Sequence, residues 1–295
     1  MVFGLLAYLL WGLFPAFFPL LLPAGPVEIL AHRIVWTAVL MVLVLTALKG
    51  WGELRRASRR TWLLLVTAGV LISANWGIYV LAVNSGHVAD AALGYFINPL
   101  LSVLLAVVFL GERLNRMQLV AVGIATLGVL QLTFLSGQAP VMALGMAITF
   151  GFYGLVKKRV QVSPRASLTA ETLVIAPLGI VYLVWLESTG QGTFFSEGPV
   201  HTTLLVVSGL VTTAPLLLFG MAAKRLPLAT IGMIQYLTPT MQMLWALFVT
   251  QEYLSPARWI GFIIIWVAVA IYLADLMRRS RSRSGRSVSI PRGRD

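Results

Sequence analysis

Three ionisable side chains that could bind a proton or an anion stand together near the start of the second apolar stretch of the sequence. Glu28 and His32 are four residues apart and can meet on one face of a helix, whereas Arg33 is rotated well away from Glu28. Glu28 and His32 are therefore candidates for a proton site or a gate, and Arg33 for a contact to an anion or a carboxylate. The alternative is a structural network that closes the outer rim, and the sequence favours neither.

Polar side chains form two stripes with the same internal spacing, one in each half of the chain. The members are Tyr95, Asn98 and Ser102 in the first stripe and Gln235, Thr238 and Gln242 in the second. On a helix, positions i, i+3 and i+7 face one direction. Because lipid would penalise such a stripe, it should face a cavity or another helix, and ordinary interhelical hydrogen bonding is the alternative.

Two prolines, Pro99 and Pro239, lie at equivalent places within these stripes, each four residues after the first member. Each lacks an N–H, so the carbonyls of Tyr95 and Gln235 lose their helical partners. Paired interruptions in corresponding membrane helices indicate a binding site, and we predict both prolines as hinges. A kink that serves only packing is the alternative.

Aromatic and amide side chains on two further apolar stretches complete the candidate site. Aromatic walls with a few amide and hydroxyl groups suit a small, partly apolar ligand, although core packing explains Trp76 equally well. We predict nine substrate-binding residues: Asn75, Trp76, Tyr79, Tyr95, Asn98, Thr213, Gln235, Tyr236 and, near the outer mouth, Arg33.

Catalytic and metal-binding patterns are missing from the sequence. It contains no H-E-x-x-H, G-x-S-x-G or Walker A string, it has no cysteine, and its three histidines are far apart. We therefore expect no catalytic residue, no metal and no cofactor, and we disfavour an enzyme or an ATP-driven pump. A channel or a membrane scaffold is the remaining alternative to a transporter.

The composition requires a lipid environment for these residues. Of 295 residues 59% are hydrophobic and only 11% are charged, too few charges for a soluble surface. The apolar blocks are about 20 residues long, enough for a helix to cross the hydrocarbon core. We predict an all-α integral membrane protein with ten spans, near residues 3–22, 29–48, 62–83, 91–110, 118–136, 141–156, 172–186, 201–221, 230–250 and 257–277.

Basic residues are confined to one side of this arrangement. All but two of the 22 Lys and Arg residues fall in alternate loops and the tail, and the exceptions are Arg33 and Arg258. The positive-inside rule then places both termini in the cytoplasm, for a protein of the plasma membrane. We read the stretch 278–295 as a disordered basic tail that touches anionic lipid, and we expect no nucleic-acid partner.

A repeat underlies the ten predicted spans. The segments 92–114 and 232–254 align without a gap, and the distance between their starts contains five spans. Since five is odd, the second copy enters the membrane from the opposite side, as is typical of secondary transporters. We predict one five-helix repeat at 1–137 and an inverted one at 138–277.

Several strings in the sequence are similar to those of a known family. NWGIYVLAVNSGHVADAALGYFINPL, GERLNRMQLVAVGIATLGV and GMIQYLTPTMQ, with weaker similarity over 3–276, resemble the RarD-type branch of the EamA family of drug/metabolite transporters. The resemblance implies ten helices in two inverted halves, alternating access, and export of metabolites or drug-like molecules. A small-molecule substrate and the lipid bilayer are thus the expected partners.

Residues at the ends of spans suggest simpler roles. We expect Glu112 and Glu252 to cap turns, Glu171 to pair locally at the interface where the seventh span begins, and His87 and His201 to be solvated. A coupling proton is compatible with the sequence. So is a homodimer, because the small residues Ala121 and Ala125 could pack helices within or between subunits.

The topology can be checked by labelling, because no native cysteine interferes. A single cysteine at Gly86 should react with an impermeant maleimide from outside the cell, and one at Ser58 only after the membrane is opened. Reaction of both from the same side would contradict the predicted topology.

Overall fold

Helices form all the regular structure in the computed structural model, within the residues that it describes: 1–85, 88–136, 141–251 and 255–286. Besides one 3₁₀ turn at Phe18–Leu21, the elements are α1 Val2–Gly12, α2 Phe14–Phe17, α3 Pro26–Ala47, α4 Trp51–Arg55, α5 Arg59–Asn84, α6 Val88–Leu110, α7 Arg116–Ser136, α8 Val141–Arg159, α9 Pro164–Ser188, α10 Gly198–Arg225, α11 Leu228–Gln235, α12 Leu237–Phe248 and α13 Pro256–Arg286. The predicted all-α class is therefore confirmed for this part of the chain.

Nine helical stretches of the described chain are long and apolar enough to cross a membrane. Their outer faces carry exposed apolar side chains, for example Leu178 and Val181 on α9 and Leu119 and Leu127 on α7. Water would penalise so many exposed aliphatic groups, whereas lipid would not. The protein is a multi-pass membrane protein.

The ninth predicted span, 230–250, is divided into α11 and α12, which meet at Tyr236. Pro239 is the third residue of α12, where a helix has no internal acceptor for an N–H in any case. Pro99, in contrast, lies inside the uninterrupted α6. The two prolines thus occupy different local structures.

Helix packing follows a regular set of pairs. α1 packs on α10 and α8 packs on α5, while α6 packs on α8 and α12 packs on α1. Three further pairs are α3 with α9, α6 with α11 and α7 with α13, and in addition α10 packs on α3 and α9 packs on α5. Ala121 and Ala125 are fully buried in the core cluster that contains residues of α7 and α13, so this pair packs within the chain.

α6 and α11 run in opposite directions and come very close to each other. The backbone N–H groups of Leu228 and Ala229 donate to the carboxylate of Glu112, which follows the end of α6, over 2.6 and 3.0 Å. One turn further along α11, a Cβ on Gly232 would lie only 2.8 Å from the carbonyl oxygen of Pro99 in the middle of α6. Glu112 was expected to cap a turn, and it caps the start of α11, where the helix dipole favours an anion.

The seventh span begins earlier than its hydropathy predicts. α9 starts at Pro164 instead of residue 172, because Ser163 accepts a hydrogen bond from the N–H of Ala166 and proline fits the first helical position. Burial alone would raise the pKa of Glu53, but its hydrogen bond from Ser163 and the nearby Arg165 guanidinium outweigh this effect and lower that pKa. Glu53 on α4 therefore binds the residue that caps the start of α9.

At the C-terminus, α13 continues to Arg286, so the first part of the tail predicted as disordered is helical. Residues 287–295 lie outside the described residues, as do Gly86, His87 and Glu252.

Because α6 and α11 approach so closely, we expect an added methyl group to lower stability at Gly232 but not at a glycine with open space around it. Gly232→Ala should lower the stability of the purified protein by about 1–3 kcal/mol, because its Cβ would overlap a backbone carbonyl that cannot swing away. Gly123→Ala is the matched control, since a Cβ there meets nothing within 4 Å. Thermal unfolding in detergent checks this prediction, and equal stability of the two variants would contradict it.

Candidate functional site

Arg33 on α3 is a buried cation in an aromatic environment. Its side chain is 8% exposed, and its Nε donates to the hydroxyl of Thr212 on α10 over 2.9 Å. Its Cζ lies 5.4, 5.2 and 4.9 Å from the ring centroids of Phe14, Phe18 and Trp76, which belong to three separate elements. Rings at these distances attract the guanidinium through their π faces.

No acidic side chain of the described residues pairs with Arg33, and its single hydrogen bond within them leaves the two terminal nitrogens without a protein acceptor. The side chains of Tyr79 and Tyr95 lie in the neighbourhood of the guanidinium. Removing a charge from water without an opposite charge is costly, and neutral rings and one hydroxyl offset only part of that cost.

Four of the nine predicted binding residues therefore gather in one place: Arg33, Trp76, Tyr79 and Tyr95. The rings of Tyr79 and Tyr95 pack at 6.4 Å between centroids and 55° between planes. Phe14, Phe18 and Thr212 join this group, and we call the seven residues the Arg33 cage. Its members come from α2, the 3₁₀ turn, α3, α5, α6 and α10.

Two other predicted residues have their polar groups satisfied by the protein instead. The side-chain amide of Asn75 donates to the carbonyl of Met146 over 2.8 Å and to the hydroxyl of Thr149 over 3.1 Å, which ties α5 to α8. The hydroxyl of Thr213 donates to the carbonyl of Gly209 in its own helix over 2.7 Å. Both contacts are ordinary hydrogen bonds of membrane helices.

The remaining three predicted residues carry polar atoms that are buried without a hydrogen-bond partner in the described structure. They are Oδ1 of Asn98 on α6, Oε1 of Gln235 at the end of α11 and the hydroxyl of Tyr236 at the break between α11 and α12. The hydroxyl of Tyr8 on α1 has the same property, and we did not predict it. Such atoms are rare in folded proteins, and each calls for a partner.

The two gate or proton candidates hold an outer loop. Glu28 accepts hydrogen bonds from the backbone N–H and the hydroxyl of Thr193, over 2.7 and 3.0 Å. The ring of His32 stacks on Phe194 at 4.8 Å. His201, which we expected to be solvated, is 6% exposed and hydrogen-bonds to Thr193 over 2.8 Å, so that expectation was wrong. These contacts match the structural alternative, in which the residues close the outer rim.

A buried ion pair joins α8 to α9; the sequence predicted a local pairing for Glu171, but neither its partner nor its burial. Lys157 and Glu171 form an ion pair of 2.7 Å and are 3% and 1% exposed. The hydroxyls of Ser167 and Tyr153 also donate to the Glu171 carboxylate, Tyr153 over 3.1 Å. Because α9 begins at Pro164, Glu171 lies two turns inside the helix and not at its start.

A bundle of spanning helices that surrounds a buried cation, aromatic rings and unpartnered polar atoms has the character of a membrane transporter. The model of the EamA-like transporter family matches residues 1–134 and 138–274. The chain belongs to this family, and it is a transporter of the drug/metabolite kind with a small-molecule substrate.

Curated relatives place the chain in the RarD branch of that family. A Streptomyces exfoliatus protein named Protein RarD is 45% identical, with 97% of this chain and 91% of the relative covered. An uncharacterized transporter of Bacillus subtilis, YojE, is 42% identical with 95% of both chains covered. A Pseudomonas aeruginosa relative named Chloramphenicol-sensitive protein RarD is 32% identical with 97% of both covered.

A solved crystal structure shares the fold. It superposes with a TM-score of 0.73 over 92% of this chain and 95% of that chain, at 19% sequence identity. At this identity the similarity concerns the fold alone.

Removing one charge of the buried Lys157–Glu171 ion pair should lower the stability of the protein strongly. Glu171→Gln should destabilise the protein by about 3–5 kcal/mol, because it leaves the Lys157 ammonium buried without its anion. Adding Lys157→Met should restore most of the loss. The control is Arg165→Gln, whose partner Glu53 is 34% exposed, and it should cost about 1 kcal/mol or less. Thermal unfolding in detergent measures all three, and Glu171→Gln being as stable as the control would count against the role of this pair.

Proposed function

We propose that the protein is a secondary transporter that moves small metabolites or drug-like molecules across the plasma membrane by alternating access. The substrate would be carried without chemical change, and the resemblance to exporters favours outward transport. The observation that carries the proposal is the set of unpartnered polar atoms of Asn98, Gln235 and Tyr236, buried in a bundle that spans the membrane. A substrate that binds in the middle of the bundle would supply the missing partners.

The packing supports two inverted five-helix repeats, 1–137 and 138–277, with α11 and α12 together as one span. When each helix is replaced by its equivalent in the other repeat, the α1–α10 pair becomes the α8–α5 pair. The α6–α8 pair becomes the contacts of α11 and α12 with α1. The pairs α3–α9, α6–α11 and α7–α13 are unchanged by the exchange. A two-fold relation between the halves explains why both classes of pair occur.

Close helix contacts recur at corresponding positions of the two repeats. Gly12 on α1 packs against Met241, and Gly151 on α8 packs against Leu101, the residue that aligns with Met241 in the first repeat. Gly69 packs against the backbone of α9, and Gly209, its equivalent in the second repeat, packs against the backbone of α3. Equivalent small residues thus let equivalent helices approach each other.

Equivalent elements differ in conformation, as alternating access requires. α6 is continuous whereas its counterpart is broken at Tyr236, and α8 is continuous whereas the first span is broken into α1, α2 and a 3₁₀ turn. In an inverted-repeat carrier, the halves can exchange such conformations around a fixed central site. We place the hinges at Pro99 and Pro239 and an outer gate at Glu28 and His32, which hold the loop containing Thr193.

The charge distribution supports the orientation. The basic loops and tail would face the cytoplasm, with both termini inside. The alternative function is a channel, which would pass solute down its gradient but would show no counterflow, since it has no carrier state that must return.

Transport by purified protein in lipid vesicles tests the proposal. Vesicles are offered a panel of radiolabelled metabolites and drug-like compounds, including chloramphenicol, which the name of one relative mentions. A transporter gives saturable uptake and counterflow of at least one compound. Asn98→Leu or Gln235→Leu should abolish that flux while the protein inserts and stays at least as stable, because an unpartnered buried polar atom is exchanged for an apolar group.

Thr126→Leu is the matched control for these two variants. The hydroxyl of Thr126 bonds only to the backbone of its own helix α7, over 2.8 Å, so the variant should transport normally. Unchanged transport by both site variants would reject the proposed central site, and flux without counterflow would reject the carrier mechanism in favour of a channel.

A further inference from the structure

Arg33 and Glu171 occupy corresponding positions in the two halves of the chain. α3 begins with Pro26 and α9 begins with Pro164, and Arg33 and Glu171 each follow that proline by seven residues. α3 and α9 also pack against each other. The two helices thus carry opposite charges at equivalent depths from their first residues.

The neighbours of the two charges correspond as well. Phe14 and Phe18, four residues apart, flank Arg33, and Tyr153 and Lys157, also four residues apart, contact Glu171. The first pair lies on the first span of its repeat and the second pair on the first span of the other repeat. Where the second half places the ammonium of Lys157 beside its charge, the first half places the ring of Phe18 beside its own.

The chain therefore neutralises one of these charges and not the other. The Glu171 carboxylate receives an ammonium and two hydroxyls, whereas the Arg33 guanidinium receives one hydroxyl and three rings within the described residues. Both side chains are largely removed from water, with Arg33 8% and Glu171 1% exposed, and an anion from outside the chain would supply the counter-charge that Arg33 lacks.

We propose that Arg33 binds the carboxylate of the substrate, and that the substrates are small organic acids with an aromatic or otherwise flat apolar body. This inference rests on the proposed transport function and specifies its substrate class. Thr212 holds Nε, so the terminal nitrogens keep a defined direction and can donate in parallel to two carboxylate oxygens. Trp76, Tyr79 and Tyr95 supply flat walls for the apolar body.

Ligand binding to the purified protein tests the inference without requiring transport. Benzoate, phenylacetate and indole-3-acetate are compared with their neutral amides, which have the same shape, by the shift that each produces in the thermal unfolding temperature. At least one carboxylate should stabilise the wild-type protein, and its amide should not. This comparison needs no variant, so it holds even if changes at Arg33 impair folding. Equal effects of acid and amide, or no effect of any acid, would overturn the inference.

Variants locate the effect at the cage. Arg33→Gln should weaken carboxylate binding by at least about tenfold, because a charge-assisted hydrogen bond is lost. Arg33→Lys should restore only part of it, since an ammonium cannot make the planar two-point contact. Arg56→Gln is the control, because Arg56 is exposed in the loop that follows α4, and it should bind like wild type. Full binding by Arg33→Gln would overturn the assignment.

Vesicle transport then separates this inference from the proposed function. If neutral compounds show counterflow that survives Arg33→Gln, the protein is a transporter and the organic-acid assignment is wrong. If carboxylates bind through Arg33 but no compound shows counterflow, the anion site stands and the proposed transport function fails.

Discussion

The hydrocarbon core offers no hydrogen bonds, and the rest of the structure depends on this constraint. Every polar group that the chain carries into the membrane must find a partner within the protein or in a ligand. Lys157 and Glu171 satisfy each other with help from two hydroxyls, and the amide of Asn75 is satisfied by the backbone of α8. Against this background, Arg33 and the free oxygens of Asn98 and Gln235 stand out as groups whose partners the described chain does not provide.

Close backbone contact between helices gives these groups fixed positions. In lipid, helices are held by packing and not by the exclusion of water, so small residues where they cross determine how near they come. A Cβ on Gly209 would lie 2.5 Å from the Cβ of Trp36. This contact brings α10 against α3, and one turn further on Thr212 reaches Arg33. The direction of the guanidinium therefore follows from a glycine on another helix.

Hydropathy predicts the spans well, because the apolar character of a long stretch decides whether it can cross the hydrocarbon core. It predicts the ends of helices poorly. The start of α9 is set by the cap at Ser163 and Pro164, a local signal that the polar residues after it obscured. In the site, Arg33, Trp76, Tyr79 and Tyr95 could be found because polar and large aromatic groups are conspicuous in apolar spans. Phe14 and Phe18 could not, since phenylalanine in such a stretch carries no signal. Asn75 and Asn98 are both amides in apolar spans, and only the three-dimensional structure separates the amide that ties two helices from the one left without a partner.

The two halves of the chain differ most where the proposed mechanism needs a difference. Around Glu171 the helices are continuous and the charge is neutralised, so strong internal bonds hold α8 and α9 together there. Around Arg33 the first span is broken into short helical pieces, and the charge is held by rings that can move apart without breaking an ion pair. In the proposed carrier, an incoming carboxylate would give the Arg33 region the electrostatic balance that Lys157 already gives its counterpart. Ligand binding would then favour the arrangement in which that end is closed, because only there do the guanidinium and the carboxylate pair away from water.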